Sequence, residues 1–134
     1  MKRTFLIMIL AISLCGCGKK TDALKVPKSE DITSIEVKID GEASTYDDEA
    51  FIDEFANILL DTEPTRKESV NDSPYAEDTI SVSVLCDNSD DVGFFVYTSR
   101  NKTYIEIPYE GIWEVAPALY YGLTNGSFKY EIEL

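Results

Sequence analysis

The chain of 134 residues contains no histidine. That absence removes imidazole-based triads, zinc sites of the HExxH or Cys/His kind and any histidine pH switch. Positive charge is scarce as well: 12 Lys and Arg stand against 25 Asp and Glu, a formal net charge of −13. Nucleic-acid binding depends on clustered Lys and Arg that neutralise phosphates, so no nucleic acid is expected as a partner. The longest apolar run, Phe5 to Leu14, has ten residues, whereas a helix needs about 20 to cross a bilayer core. No GxSxG elbow, P-loop or GxGxxG is present, and the length leaves room for one small domain.

The amino terminus carries an address. Lys2 and Arg3 form a basic region ahead of the apolar run, the pattern of a secretion signal over residues 1–16. Leu14-Cys15-Gly16-Cys17 resembles a bacterial lipobox, with Leu three residues before the cut, a small residue just before it and Cys17 just after it. Cys15 fits less well, because bulky Leu14 would precede it. The resemblance implies a diacylglyceryl group on the Cys17 sulfur, cleavage before Cys17 and residence on the outer face of the bacterial cytoplasmic membrane. Two acyl chains hold a protein on a bilayer stably where one does not. Cys15 leaves with the signal and Cys17 is acylated, so Cys86 remains alone and no internal disulfide forms.

Loss of Lys2 and Arg3 leaves 10 basic against 25 acidic residues, a net charge of −15. Residues 17–29 are polar and include Lys19, Lys20, Lys25 and Lys28, which reads as a tether with a basic foot beside anionic headgroups. About 14 residues between Cys17 and the first strand would reach at most about 50 Å, with an acidic domain standing off the membrane.

Residues 30–134 read as a single α+β domain. Ile35, Val37 and Ile39 alternate with Glu36 and Lys38, a half-buried strand, and Asp40-Gly41 turns it toward a short return strand, Ala43 to Tyr46. Asp47 is placed to cap a helix from Asp48 to Leu60, with Phe51, Ile52, Phe55, Ala56, Ile58 and Leu59 on its apolar stripe. A short strand is expected over Arg66 to Val70. A three-stranded meander follows over Thr79 to Cys86, Val92 to Ser99 and Thr103 to Pro108. A short second helix is expected from Pro117 to Gly122, and a closing strand from Phe128 to Leu134. The expected architecture is an antiparallel sheet of about five to seven strands, with one long amphipathic helix packed on one face and a short second helix.

Three segments carry a further resemblance: Val26-Pro-Lys-Ser-Glu-Asp-Ile-Thr-Ser-Ile-Glu36, Pro64-Thr-Arg-Lys-Glu-Ser-Val-Asn-Asp-Ser-Pro74 and Tyr104-Ile-Glu-Ile-Pro-Tyr-Glu-Gly-Ile-Trp113. Over about residues 25 to 123 the chain resembles a lipoprotein-borne domain of Gram-positive bacteria, domain of unknown function 5301. The terminal strand departs from that pattern. The resemblance implies export, anchoring and one small domain, and it supplies no catalytic or ligand-binding residues.

The residues themselves offer few candidates for chemistry. Tyr97, Tyr109 and Trp113 could present rings to a partner, although aromatics also build cores. Asp87-Asn-Ser-Asp-Asp91 has oxygen ligands at alternate positions, but it lacks the glycine at position six and the glutamate at position twelve of a calcium loop. It reads as a solvated hairpin loop, and no metal or other cofactor is expected. Cys86 has no histidine to activate it and reads as a core residue. The sequence therefore suggests a non-enzymatic module, anchored to the membrane through Cys17, that binds an envelope protein or a basic peptide. An immunity-like lipoprotein that sequesters cationic antimicrobial peptides is the alternative, and an enzyme acting on wall polymers the least supported. Intact mass of detergent-extracted protein is expected to show Cys17 as the first residue with its diacylglyceryl group, which Cys17→Ala should abolish. A wild-type chain without that added mass would exclude the anchor.

Overall fold

A computed structural model describes residues 21–128 of the chain. After a turn of 3-10 helix at Ser29–Asp31 the elements are β1 (Ile32–Ile39), β2 (Glu42–Tyr46), α1 (Glu49–Leu60), β3 (Glu63–Pro64), β4 (Ile80–Cys86), β5 (Val92–Ser99), β6 (Lys102–Ile107), β7 (Gly111–Val115) and α2 (Ala118–Asn125). The strands form one seven-stranded sheet in the order β2-β1-β4-β5-β6-β7-β3. Every neighbouring pair is antiparallel. The fold is therefore α+β, with two helices of 12 and 8 residues.

Local sequence explains most of these elements. Asp40 and Gly41 both adopt positive φ, 50° and 84°, the conformation that Asp-Gly supplies to a two-residue hairpin. The helix cap falls one residue later than the expected Asp47: the Asp48 carboxylate accepts the Phe51 N–H at 3.1 Å. That placement puts Phe51, Ile52, Phe55, Ala56 and Leu59 in the core. The second helix runs beyond Gly122 to Asn125, because the left-handed residue that ends it is Gly126, at φ 71°.

Both helices lie on the same face of the sheet. Ile35, Val37, Ile80, Val82, Val84, Phe94, Val96, Ile105, Trp113 and Val115 form one core with the buried faces of α1 and α2. Phe55, fully buried, stacks on Phe94 with centroids 6.2 Å apart. Phe51 lies between the rings of Tyr46 and Phe128, at 4.3 and 4.7 Å. The amphipathic helix expected on this face is α1, which is 12 residues long, and the short second helix shares the face with it.

The chain wraps the sheet. From the β2 edge, α1 leads to β3 at the opposite edge, where Glu63 and Pro64 pair with Glu114 and Trp113. Residues 65–79 then return to central β4 without regular structure, so Arg66 to Val70 is loop and not the expected strand. Strand β7 was not anticipated; it is five residues long and begins at a glycine, too little for the alternation to register. The closing strand expected beyond Phe128 lies outside the described residues. Residues 21–28, inside the segment read as a tether, lie against the domain: Leu24 and Val26 pack on the core and Thr21 N–H donates to the Thr65 carbonyl at 3.2 Å.

Phe55→Ala should cost about 3–5 kcal/mol in chemical denaturation, the usual range for deleting a fully buried phenylalanine. Asp48→Ala should cost about 1 kcal/mol through its lost cap, whereas Asp47→Ala should be close to neutral.

Candidate functional site

The turn between β6 and β7 is held by residues distant in sequence. Tyr109 adopts φ 63°, a left-handed conformation that is unfavourable for a tyrosine by about 1–2 kcal/mol. Two hydrogen bonds to the 65–79 loop keep it there. Its N–H donates to Ser69 Oγ at 3.1 Å and its hydroxyl donates to Asp72 Oδ1 at 2.6 Å. That second bond raises the Tyr109 hydroxyl pKa above the ordinary phenol value. The ring remains 66% exposed. A cleft of about 350 Å³ opens beside it, lined among others by Thr21, Asp22, Lys67, Ser69 and Val70.

Beneath the loop lies a second small cluster on the face away from the helices. Tyr97, Tyr104 and Ile112 are buried there against Ala76. The register sets Tyr97 opposite Tyr104 and Glu106 opposite Ile112. Lys67 reaches over the Tyr104 ring, its Nζ 4.1 Å from the centroid. Glu106 is only 5% exposed and accepts a hydrogen bond from the Tyr97 hydroxyl at 3.3 Å. Burial pushes its carboxyl above the ordinary value, against the opposing effect of hydrogen bonds from Tyr97 and Ser69. Burial, followed by the Glu106 charge, raises the Tyr97 hydroxyl strongly, so that it remains a donor.

Of the three aromatics read as partner contacts, the structure therefore leaves one at the surface. Tyr97, 8% exposed, is covered by the returning loop. Trp113, 4% exposed, points to the helical face and donates its indole N–H to the Asp22 carbonyl at 2.8 Å. Both sit on strands whose two faces are covered, which alternation alone could not show. Tyr109 stays outside because it belongs to a turn. Cys17 lies outside the described residues. Cys86 is half-buried on the core side and its backbone N–H donates to Asp91 Oδ1 at 2.8 Å, so the Asp87–Asp91 loop uses a carboxylate to close itself.

Sequence reasoning passed over Ser69, Asp72, Lys67 and Glu106. Only Glu106 left a trace, as an acid two residues from Tyr104 on a strand otherwise rich in apolar residues. The others act from a loop whose path depends on the tertiary fold. The cleft offers an aromatic ring, a hydroxyl, a cation and carboxylates at an open surface. Among the described residues no helix is long and apolar enough to cross a membrane.

The fold defines a small α+β domain with an open cleft beside the β6–β7 turn. The family model DUF5301, described as "Domain of unknown function (DUF5300)", matches residues 20–114. The chain belongs to that family. A solved structure described as "NMR structure of the protein from Ruminococcus gnavus" is similar at 30% identity and a TM-score of 0.57, over 69% of this chain and 91% of that one. No curated protein matches.

The raised carboxyl has a sign that can be tested. The folded state holds the Glu106 proton more tightly than the unfolded chain does. Its contribution to stability is therefore fully present below the ordinary value of 4.5 and is lost as pH rises through the raised folded value. Denaturant midpoints from pH 4 to 8 should show wild type losing stability relative to Glu106→Gln across that window and levelling off above it. Parallel curves for the two proteins would contradict the assignment.

Proposed function

We propose that this protein is a lipid-anchored, non-enzymatic binding module. A diacylglyceryl group on Cys17 holds it on the outer face of the bacterial cytoplasmic membrane, where it recognises an envelope protein or an exported peptide. The observation that carries the reading is Tyr109: a ring two-thirds exposed, held in a left-handed turn by Ser69 and Asp72 at the rim of a cleft. Backbone strain concentrates at ligand clamps and active sites, and exposed tyrosines recur at binding hot spots. The net charge of −15 after removal of the signal favours a basic partner through steering.

Capture of cationic antimicrobial peptides is a second reading that the same charge supports. A deletion strain with unchanged sensitivity to such peptides would exclude it.

Crosslinking on intact cells, read by mass spectrometry, is expected to recover one reproducible envelope partner. Tyr109→Asn keeps a residue tolerant of the left-handed turn and removes the ring. It should reduce recovery by about tenfold or more, as for a hot-spot tyrosine, with the melting temperature unchanged. Undiminished recovery in this variant would place the binding surface elsewhere.

A further inference from the structure

The reach of the anchor follows from where the domain begins. Thr21 N–H is bonded to the Thr65 carbonyl, and the Trp113 indole N–H is bonded to the Asp22 carbonyl. The Thr21 side chain occupies the space that a Cβ on Gly111 would need, so the sheet is shaped to receive it. Leu24 and Val26 continue the contact along the core. Residues 21–26 therefore belong to the packed domain, and the family match begins at residue 20. Between Cys17 and Thr21 stand only Gly18, Lys19 and Lys20. Four residue steps span at most about 14 Å, far short of the 50 Å allowed by a free tether.

We infer that the end of the domain carrying the Tyr109 cleft sits on the lipid headgroup layer, held there by the docking of residues 21–26 so close to the acylated cysteine. The inference rests on the lipid anchor proposed above. Thr21 is itself a wall of the cleft, which places the cleft at the anchored end. The surface there suits a headgroup layer in part: Tyr109 and Val70 are 66% and 63% exposed, and Lys25, Arg66 and Lys67 are exposed beside them. Tyrosine settles at the headgroup level, and Lys and Arg are drawn to anionic lipid. Asp22, Glu68, Asp91 and Glu110 occur at the same end and oppose that attraction. Anchor reach, more than charge, sets the position. Thr98, paired with Thr103, lies roughly 20 Å along β6 from the Tyr109 turn, at 3.3 Å per residue, and faces away from the membrane. A partner entering the cleft would have to meet it at the bilayer surface, as the juxtamembrane part of a membrane protein does.

The test uses full-length lipoprotein extracted from a Gram-positive host and reconstituted in phosphatidylglycerol and phosphatidylcholine vesicles whose headgroups carry a nitroxide quencher. In a Cys86→Ser background a fluorophore is attached at Val70→Cys or at Thr98→Cys. The Val70 fluorophore is expected to be quenched several-fold more than the Thr98 fluorophore, with little change at high salt. Inserting 20 Gly and Ser residues between Lys20 and Thr21 should bring the two close to equality. Equal quenching without the insertion, in protein whose mass shows the lipid on Cys17, would overturn the seating and leave the anchor standing. Strong Val70 quenching that survives the insertion would overturn the role of the short span. Protein lacking the lipid mass would remove the anchor reading, and the seating with it.

Discussion

An antiparallel sheet with apolar side chains on both faces of some strands must be covered on both sides, and this chain has helices for one side only. Strands β5, β6 and β7 bury Phe94, Val96, Ile105, Trp113 and Val115 toward the helices, and Tyr97, Tyr104, Glu106 and Ile112 away from them. Residues 65–79 meet the second requirement. After α1 has carried the chain to the far edge at β3, residues 65–79 return to central β4 over the face away from the helices. On β1 and β4 the outer residues, such as Glu36, Lys38, Ser81 and Ser83, are polar and half-buried or exposed.

The loop holds its place through polar contacts as much as apolar ones. Thr65 starts it with two hydrogen bonds to the Ile112 carbonyl, one from its N–H and one from its hydroxyl. Lys67 lies on the Tyr104 ring, Ser69 and Asp72 engage Tyr109, and at the far end Tyr120 of α2 donates to the Asp78 carbonyl. Glu106 sits in the middle as a buried carboxyl supplied with hydroxyl donors by Tyr97 and Ser69. A buried carboxylate with no cation beside it costs folding energy at neutral pH even when hydroxyls donate to it. Glu106 and Thr103, both on β6, are the buried polar residues among those described.

The covering of β5 to β7 also shapes the surface. Because Ser69 and Asp72 are carried past the end of β6, the Tyr109 turn becomes one wall of a cleft and not a free hairpin tip. Because β7 begins at Gly111, which has no side chain, and carries Trp113 two residues on, the strip from Thr21 to Val26 has a groove and an indole donor to dock upon. Cleft and amino-terminal strip are thus consequences of the same edge.

Much of this was legible beforehand because it depends on neighbours in sequence. Period-two alternation identified β1, β4 and β5, Asp-Gly identified the first hairpin, and the apolar stripe identified α1. The antiparallel α+β class, with about five to seven strands, followed from their order, and the count of seven came from the structure. The misplaced features all depend on contacts between distant segments. Two-residue β3 exists only because Trp113 and Glu114 offer it an edge, and the loop at 66–70 resembles a strand locally but has no partner to pair with. Tyr97 and Trp113 are apolar-face residues on strands whose coverage no local pattern encodes, so their burial was decided by the returning loop and by residues 21–26. Tyr109 was named by the sequence as one aromatic among three. Only the tertiary structure singled it out, because a left-handed tyrosine needs Ser69 and Asp72, about 40 residues away, to hold it. Local periodicity determines which face of each element is apolar, and long-range topology decides what covers that face.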